Sequence, residues 1–230
     1  MEITLFSVMT LGFLLGIRHA MEPDHVIAVS TIASQSKKLS HASLAGIYWG
    51  IGHTATLFII GIILIMMKND ISAKWSLSLE FLVGIMLVYL GTTSILSFKK
   101  DRKHSHHIHL DHSEESGLST IQVNKNVPYL KSLIIGLIHG LAGSAAMVLL
   151  TMSTVNSVWQ GGLYILVFGA GTITGMLLFT TIIGIPFVLS MKQMVTSRVL
   201  IMTTGCISIL FGIYYMYNLG FNEGLFKQWI

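Results

Sequence analysis

The sequence predicts an all-α membrane protein of about six transmembrane helices, arranged as an inverted three-plus-three repeat with a discontinuous first helix. Three observations carry that expectation: a composition poor in charge, apolar runs of spanning length, and a self-match at an offset of 120 residues. Of the 230 residues, 53% are hydrophobic and 10% charged, with a mean hydropathy of +0.73. A soluble domain carries about 25% charged residues, so water is not the solvent for most of this surface and the lipid bilayer is its first partner.

The first apolar segment, Ile3 to Ile17, is short by itself but continues through Arg18 to Ala20 and resumes after Pro23. Proline lacks an amide hydrogen and restricts the residue before it. One helix is therefore expected to end near Ala20 and another to start at Pro23, with Asp24 and His25 in its first turn. Five further stretches follow at 42–67, 77–98, 132–159, 163–191 and 199–221, the second of them tolerating Glu80 near its end. Each is long enough to cross a hydrocarbon core, which takes about 20 residues. The only charge before Arg18 is Glu2, unlike the positive start of a cleavable signal, so the N-terminus is expected to be retained.

Lys37, Lys38, Lys99, Lys100, Arg102, Lys103, Lys125, Lys131, Lys192 and Arg198 fall on one side of these spans, against Lys68, Lys74 and Lys227 on the other. The positive-inside rule then places both termini outside and residues 99–129 in the cytoplasm of a multi-pass cytoplasmic-membrane protein. The basic residues cluster beside spans and do not interleave with aromatics, so nucleic acid is not an expected partner. Cys206 is the one cysteine. It excludes a dithiol electron carrier and a disulfide scaffold, and its place in the last span reads as a buried apolar thiol.

Gly16-Ile17-Arg18-His19 aligns with Gly136-Leu137-Ile138-His139 at an offset of 120, and Gly84 and Gly91 align with Gly205 and Gly212 at an offset of 121. An odd number of spans per half makes the second copy enter from the opposite side, as in many secondary transporters. The domains expected are a first repeat at 1–98, a loop at 99–129 and a second repeat at 130–230. Transport sites in such repeats lie where hydrophobic segments are interrupted. The expected interruptions are Ala20 to Asp24 in the first half and Gly140 to Ser144 in the second.

Arg18-His19-Ala20-Met21-Glu22-Pro23-Asp24-His25 puts two imidazoles and a carboxylate inside apolar helix. A charge at mid-membrane costs about 2.5–3.5 kcal/mol, which calls for compensation or a water-filled cavity. Imidazoles suit nickel, cobalt, zinc and copper, and a carboxylate offsets part of the cation's charge. His53, between Gly52 and Thr54, and His139 are the other two histidines at membrane depth. His139 reads equally as a ligand or as a hydrogen-bonded structural residue. Arg18 reads as a structural cation paired to Asp24 or Glu22, and Met21 as a packing residue.

His19-x4-Asp24-His25 resembles the first signature of the NiCoT nickel and cobalt transporters, and Gly52-His53-Thr54 is similar to their second. The second half, His139-Gly140-Leu141-Ala142-Gly143-Ser144, lacks the acidic signature of the longer members, and six spans replace eight. Both departures resemble the short urease-accessory UreH-type branch. The resemblance implies a non-enzymatic secondary carrier with His19, Asp24 and His25 as the metal-recognition site and His53 supporting it. Thr54, His139 and Ser144 are candidates for the pathway or a second-half site. Ni2+ or Co2+ would be substrate, with no cofactor, and the expected direction is uptake supplying urease or another nickel enzyme. Efflux is the alternative direction. Urease-maturation or metal-chaperone proteins are the soluble partners implied.

His104, His106, His107, His109 and His112, followed by Glu114 and Glu115, form a histidine-rich tract of the kind that binds metal. It reads as an accessory trap or sensor in the loop. Among non-transport readings, His19-x4-Asp24 also matches the catalytic spacing of glycerolipid acyltransferases, but no segment outside the membrane could form an acyl-donor groove. A metal-sensing membrane adaptor for urease maturation is the other. No His-Glu-x-x-His protease motif occurs, and no Gly-x4-Gly-Lys-Ser/Thr phosphate loop, so the driving energy comes from a gradient or a partner.

Overall fold

In a computed structural model, the described residues are 5–36, 38–67, 72–104, 127–154, 157–191 and 193–230. They form helices α1 (Leu5–His19), α2 (Pro23–Ala33), α3 (Leu39–Met67), α4 (Ala73–His104), α5 (Val127–Thr154), α6 (Val158–Ser190) and α7 (Met194–Tyr217). A π-helical turn, Asn218–Asn222, and the short α8 (Leu225–Trp229) close the chain. No strand occurs among the described residues. Helices α3, α4, α6 and α7 are each long and apolar enough to cross a membrane. The pair α1 and α2 meets the same test jointly, bent by 57° at the break between them. The described part of α5 contributes a shorter apolar helix, Tyr129–Gly143. Leu11, Leu82, Ile85, Leu166, Leu178 and Ile182 are exposed, an apolar surface that lipid, not water, would solvate.

The first break falls where proline chemistry places it. Glu22, ahead of Pro23, is extended (φ −61°, ψ 145°), and Pro23 opens α2, where its missing N–H is no loss. The amides of Met21 and Glu22 donate to the carbonyls of Arg18 and His19 at 2.9 and 3.0 Å, closing the turn. The expected second interruption, Gly140 to Ser144, does not occur: α5 is helical from Val127 to Thr154. Glycine weakens a helix but keeps its amide donor, so without a proline the helix continues. The boundary expected near residues 159–163 also moves. Helix α6 starts at Val158, where Ser157 Oγ accepts from the Gln160 amide at 3.3 Å, a cap that apolarity alone does not register.

The glycines do their work at helix crossings. A methyl at Gly16 would collide with the Phe168 carbonyl and one at Gly171 with that of Phe13, fixing α1 against α6. The same contact is made a second time between α5 and α3, where Gly136 meets the Trp49 carbonyl and Gly52 that of Leu133. Gly136 and Leu133 stand 120 residues after Gly16 and Phe13, and Phe168 and Gly171 stand 119 after Trp49 and Gly52. Helices α4 and α7 pack antiparallel through Gly91 against Gly205 and Gly84 against Gly212. Small residues let backbones approach in a solvent where apolar side chains gain nothing by leaving lipid. The core around the first break includes Ala20, Ala28, Val29, Trp49, Leu87 and Met176. Cys206 is exposed on α7, which corrects the expectation of a buried thiol: its face of the helix points away from α4.

Candidate metal centre

Four helices bring five side chains to one place beside the bend. His19 is the last residue of α1, Asp24 and His25 lie in the first turn of α2, His53 is midway along α3 and His139 is on α5. On one continuous helix, His19 and His25, six residues apart, would point about 120° from each other. The bend brings their ring centroids to 4.5 Å. His25 lies at the middle of the cluster, with centroids 4.1 Å from His139 and 5.3 Å from His53. Trp49, one helical turn before His53, stacks parallel to His25 at 6.0 Å.

Carboxylates set the orientation of the rings. His139 Nε2–H donates to Asp24 Oδ2 at 3.0 Å, and His25 Nδ1–H donates to Asp24 Oδ1 at 3.3 Å. His19 Nδ1–H donates to Glu22 Oε2 at 3.0 Å, which leaves its Nε2 facing His53 Nε2 at 3.2 Å. A neutral imidazole has one donor and one acceptor nitrogen, so each of these bonds leaves a lone pair on the opposite nitrogen. His25 Nε2, His53 Nδ1 and His139 Nδ1 are buried with no partner among the described residues. His25, His53 and His139 are only 1–2% exposed. Leaving such groups unpaired costs about 1–3 kcal/mol each, which a cation taking their lone pairs would recover.

Two ligand triads have donor atoms within 4.8 Å of one another: His19, His25 and His53, and Asp24, His25 and His139. Imidazole with carboxylate is a borderline donor set that suits divalent nickel, cobalt or zinc. His19, Asp24, His25 and His139 lie on the wall of a cavity of about 700 Å³ that also reaches Arg18, Met21, Glu22, Glu80 and Tyr215. Glu80 is near the start of α4 and Tyr215 near the end of α7, so the cavity approaches the face that carries those two helix ends.

Each predicted site residue can now be placed. His19, Asp24, His25 and His53 lie together, and His139 joins them through Asp24. Thr54 is buried beside His53 with its hydroxyl unpartnered, packed against Gly169. The side chains of Ser144 and His104 and the whole of His106, His107, His109 and His112 lie outside the described residues. Arg18 does not have the pairing expected of it: Asp24 is bonded to His25 and His139, and Glu22 to His19. Met21 is 51% exposed at the cavity, so it does not pack in the core. The turn that closes before Pro23 carries it outward.

Four contributors escaped the sequence reading. Glu22 stands three residues after His19, the spacing of helical neighbours, which could have identified it as the partner that orients the ring. Trp49 precedes His53 by four residues and so shares its helix face. Glu80 and Tyr215 reach the cavity only through tertiary packing, and no local signal marks them.

A family model described as "Cytochrome C biogenesis protein transmembrane region" matches residues 5–214. The urease accessory protein UreH of Bacillus sp. (strain TB-90) is 62% identical over 232 residues, covering 100% of this chain and 99% of that protein. A candidate nickel/cobalt efflux system of Methanocaldococcus jannaschii is 27% identical over 88% of this chain and 89% of its own length. The nickel transporter NixA of Staphylococcus aureus is 32% identical over 73 residues, 31% of this chain and 20% of that protein. No solved structure matches the chain. None of these names is that of a catalytic enzyme, and with Cys206 alone the chain lacks the second thiol of a dithiol relay. The chain belongs to the transmembrane family that this model describes and to the family of the urease accessory protein UreH, with a more distant likeness to nickel and cobalt transport proteins.

Proposed function

We propose that this protein is a secondary transporter that moves Ni2+ or Co2+ across the cytoplasmic membrane, taking it up to supply urease or another nickel enzyme. One observation carries the reading: buried imidazoles without partners converge with a carboxylate on a cavity inside a bundle of membrane-length helices. His19, Asp24, His25 and His53 bind the ion, and His139 completes the set from the second half. The aspartate supplies the negative charge that a divalent cation needs in a low-dielectric cavity. Neutral imidazoles supply lone pairs already oriented by their carboxylate partners, so little ordering remains to be done on binding.

Uptake draws on the 62% identity to a urease accessory protein. Efflux is the second reading, favoured by the name of the archaeal relative. The glycine contacts made twice, at offsets of 119 and 120, support an inverted repeat of residues 1–98 and 130–230, joined by a cytoplasmic loop at 99–129 and with both termini outside. The histidine tract in that loop acts as an accessory trap that passes metal to urease-maturation or chaperone proteins. The test is Ni2+ and Co2+ accumulation and efflux in cells with and without the chain, alongside Zn2+. Accumulation that depends on the chain is expected. Metal retention that is the same in both strains would refute carriage, and accelerated loss would reverse the direction.

A further inference from the structure

We infer that the five ligands form two overlapping stations that share His25, and that the ion is handed from one to the other. The inference rests on the transport reading above and gives it an internal sequence of steps. The first station is Asp24, His25 and His139, and the second is His19, His25 and His53. They differ in charge. A divalent ion at the first station faces a carboxylate, whereas at the second all three ligands are neutral imidazoles. The first therefore captures and the second passes on, because an ion with less compensating charge is held less tightly.

Position gives the order. All three ligands of the first station lie on the cavity wall, whereas in the second station His19 and His25 lie on it and His53 does not. An ion arriving from the cavity therefore meets the first station complete, and the second only when it passes the wall to His53. His25 is the pivot: its Nδ1 lies 3.3 Å from Asp24 Oδ1, and its Nε2 is buried without a partner. Two divalent ions on one shared imidazole would repel strongly, so the stations fill in turn.

The test uses the full chain, purified for equilibrium Co2+ binding and reconstituted in liposomes for Co2+ flux. The unaltered protein is expected to bind one Co2+ per chain. Asp24→Asn and His139→Gln should weaken binding at least about tenfold, the scale at which a lost partner at a metal site is felt. His53→Gln should weaken binding by less than about threefold, a fraction of the 1.4 kcal/mol that a tenfold change represents, while flux falls at least about tenfold. His19→Gln should behave like His53→Gln and serves if that variant does not fold. Loss of binding in His53→Gln and His19→Gln as large as in His139→Gln would mean one undivided site and overturn the stations alone. Two Co2+ per chain would overturn alternate filling. Absence of Co2+ flux by the unaltered protein would overturn the transport reading, and the handover with it, whatever the binding pattern.

Discussion

His139 Nε2 lies 3.0 Å from Asp24 Oδ2, across 115 residues of sequence. That bond ties the half of the chain that carries the His-x4-Asp-His motif to the half that carries a single intramembrane histidine. Asp24 is thus a ligand candidate and the link between α2 and α5 at once. Asp24→Asn keeps size and some hydrogen bonding but deletes the charge, and it should lower metal affinity at least about tenfold, about 1.4 kcal/mol. Equilibrium Ni2+ binding to the purified variant, confirmed to be folded by its elution as a single species, measures this. Undiminished affinity would remove Asp24 from the site.

Glu22 should matter through His19. Its carboxylate accepts from His19 Nδ1 at 3.0 Å and is 52% exposed, so it orients the ring from the solvent side of the cavity. Glu22→Gln should therefore act as His19→Gln does, lowering Co2+ flux several-fold while equilibrium affinity falls by less than about threefold. Glu22→Asp, too short to reach in the same geometry, should recover little. If Glu22→Gln carries Co2+ at the rate of the unaltered protein, His19 is held by other means.

Much of the candidate site was legible because imidazoles and a carboxylate inside apolar helix form a small, closely spaced pattern. Pro23 marks the bend, and His19, Asp24 and His25 mark the cluster. The structure departs where the sequence signal was compositional and the cause steric. Gly140 and Gly143 look like a helix interruption, yet without a proline they leave every donor in place, and Gly140 serves instead as a close contact with the His53 backbone. Arg18 looked like a counter-ion because of its charge alone, but imidazoles hold both carboxylates, His19 that of Glu22 and His25 and His139 that of Asp24. Glu80 and Tyr215 stand 55 and 190 residues after His25, and such long-range packing has no periodic trace to read.

Gly136 couples the fold to the site. A methyl there would collide with the Trp49 carbonyl and come 2.6 Å from its ring, and Trp49 stacks on His25. Gly136→Ala should therefore destabilise the α3–α5 crossing by about 1–3 kcal/mol, as overpacking does, and weaken metal binding as well. Gly143→Ala is the control, since its added methyl meets nothing closer than 3.8 Å. Thermal unfolding in detergent should separate the two, and equal melting temperatures would show that the crossing tolerates the methyl.

Binding should weaken in mild acid. The ion needs lone pairs on His19, His25, His53 and His139, and a free imidazole titrates near ~6.5, so protons compete with metal as pH falls. The sign is fixed by the ligand type: lower pH means more protonated rings and lower apparent affinity. Co2+ titrations between about pH 7.5 and 5.5 should show a steady loss, steeper than that of a single imidazole because several rings act together. A flat profile would mean that the carboxylates alone hold the ion.

The orientation of the chain can be tested at residue 107, in the histidine tract. Ten basic residues fall on the proposed cytoplasmic side and three on the other, a bias that sets orientation through the positive-inside rule. His107→Cys, read with a membrane-impermeant thiol reagent, should be unreactive in intact cells and reactive after the membrane is opened. Cys206 is exposed on α7 and is first replaced by serine, so that the introduced thiol is the one that reacts. The reverse partner is position 70, between α3 and α4, which should react from outside in Asp70→Cys. Labelling of position 107 in intact cells with position 70 protected would invert the topology. The metal cavity, which approaches the face bearing the start of α4 and the end of α7, would then open to the cytoplasm and favour efflux over uptake.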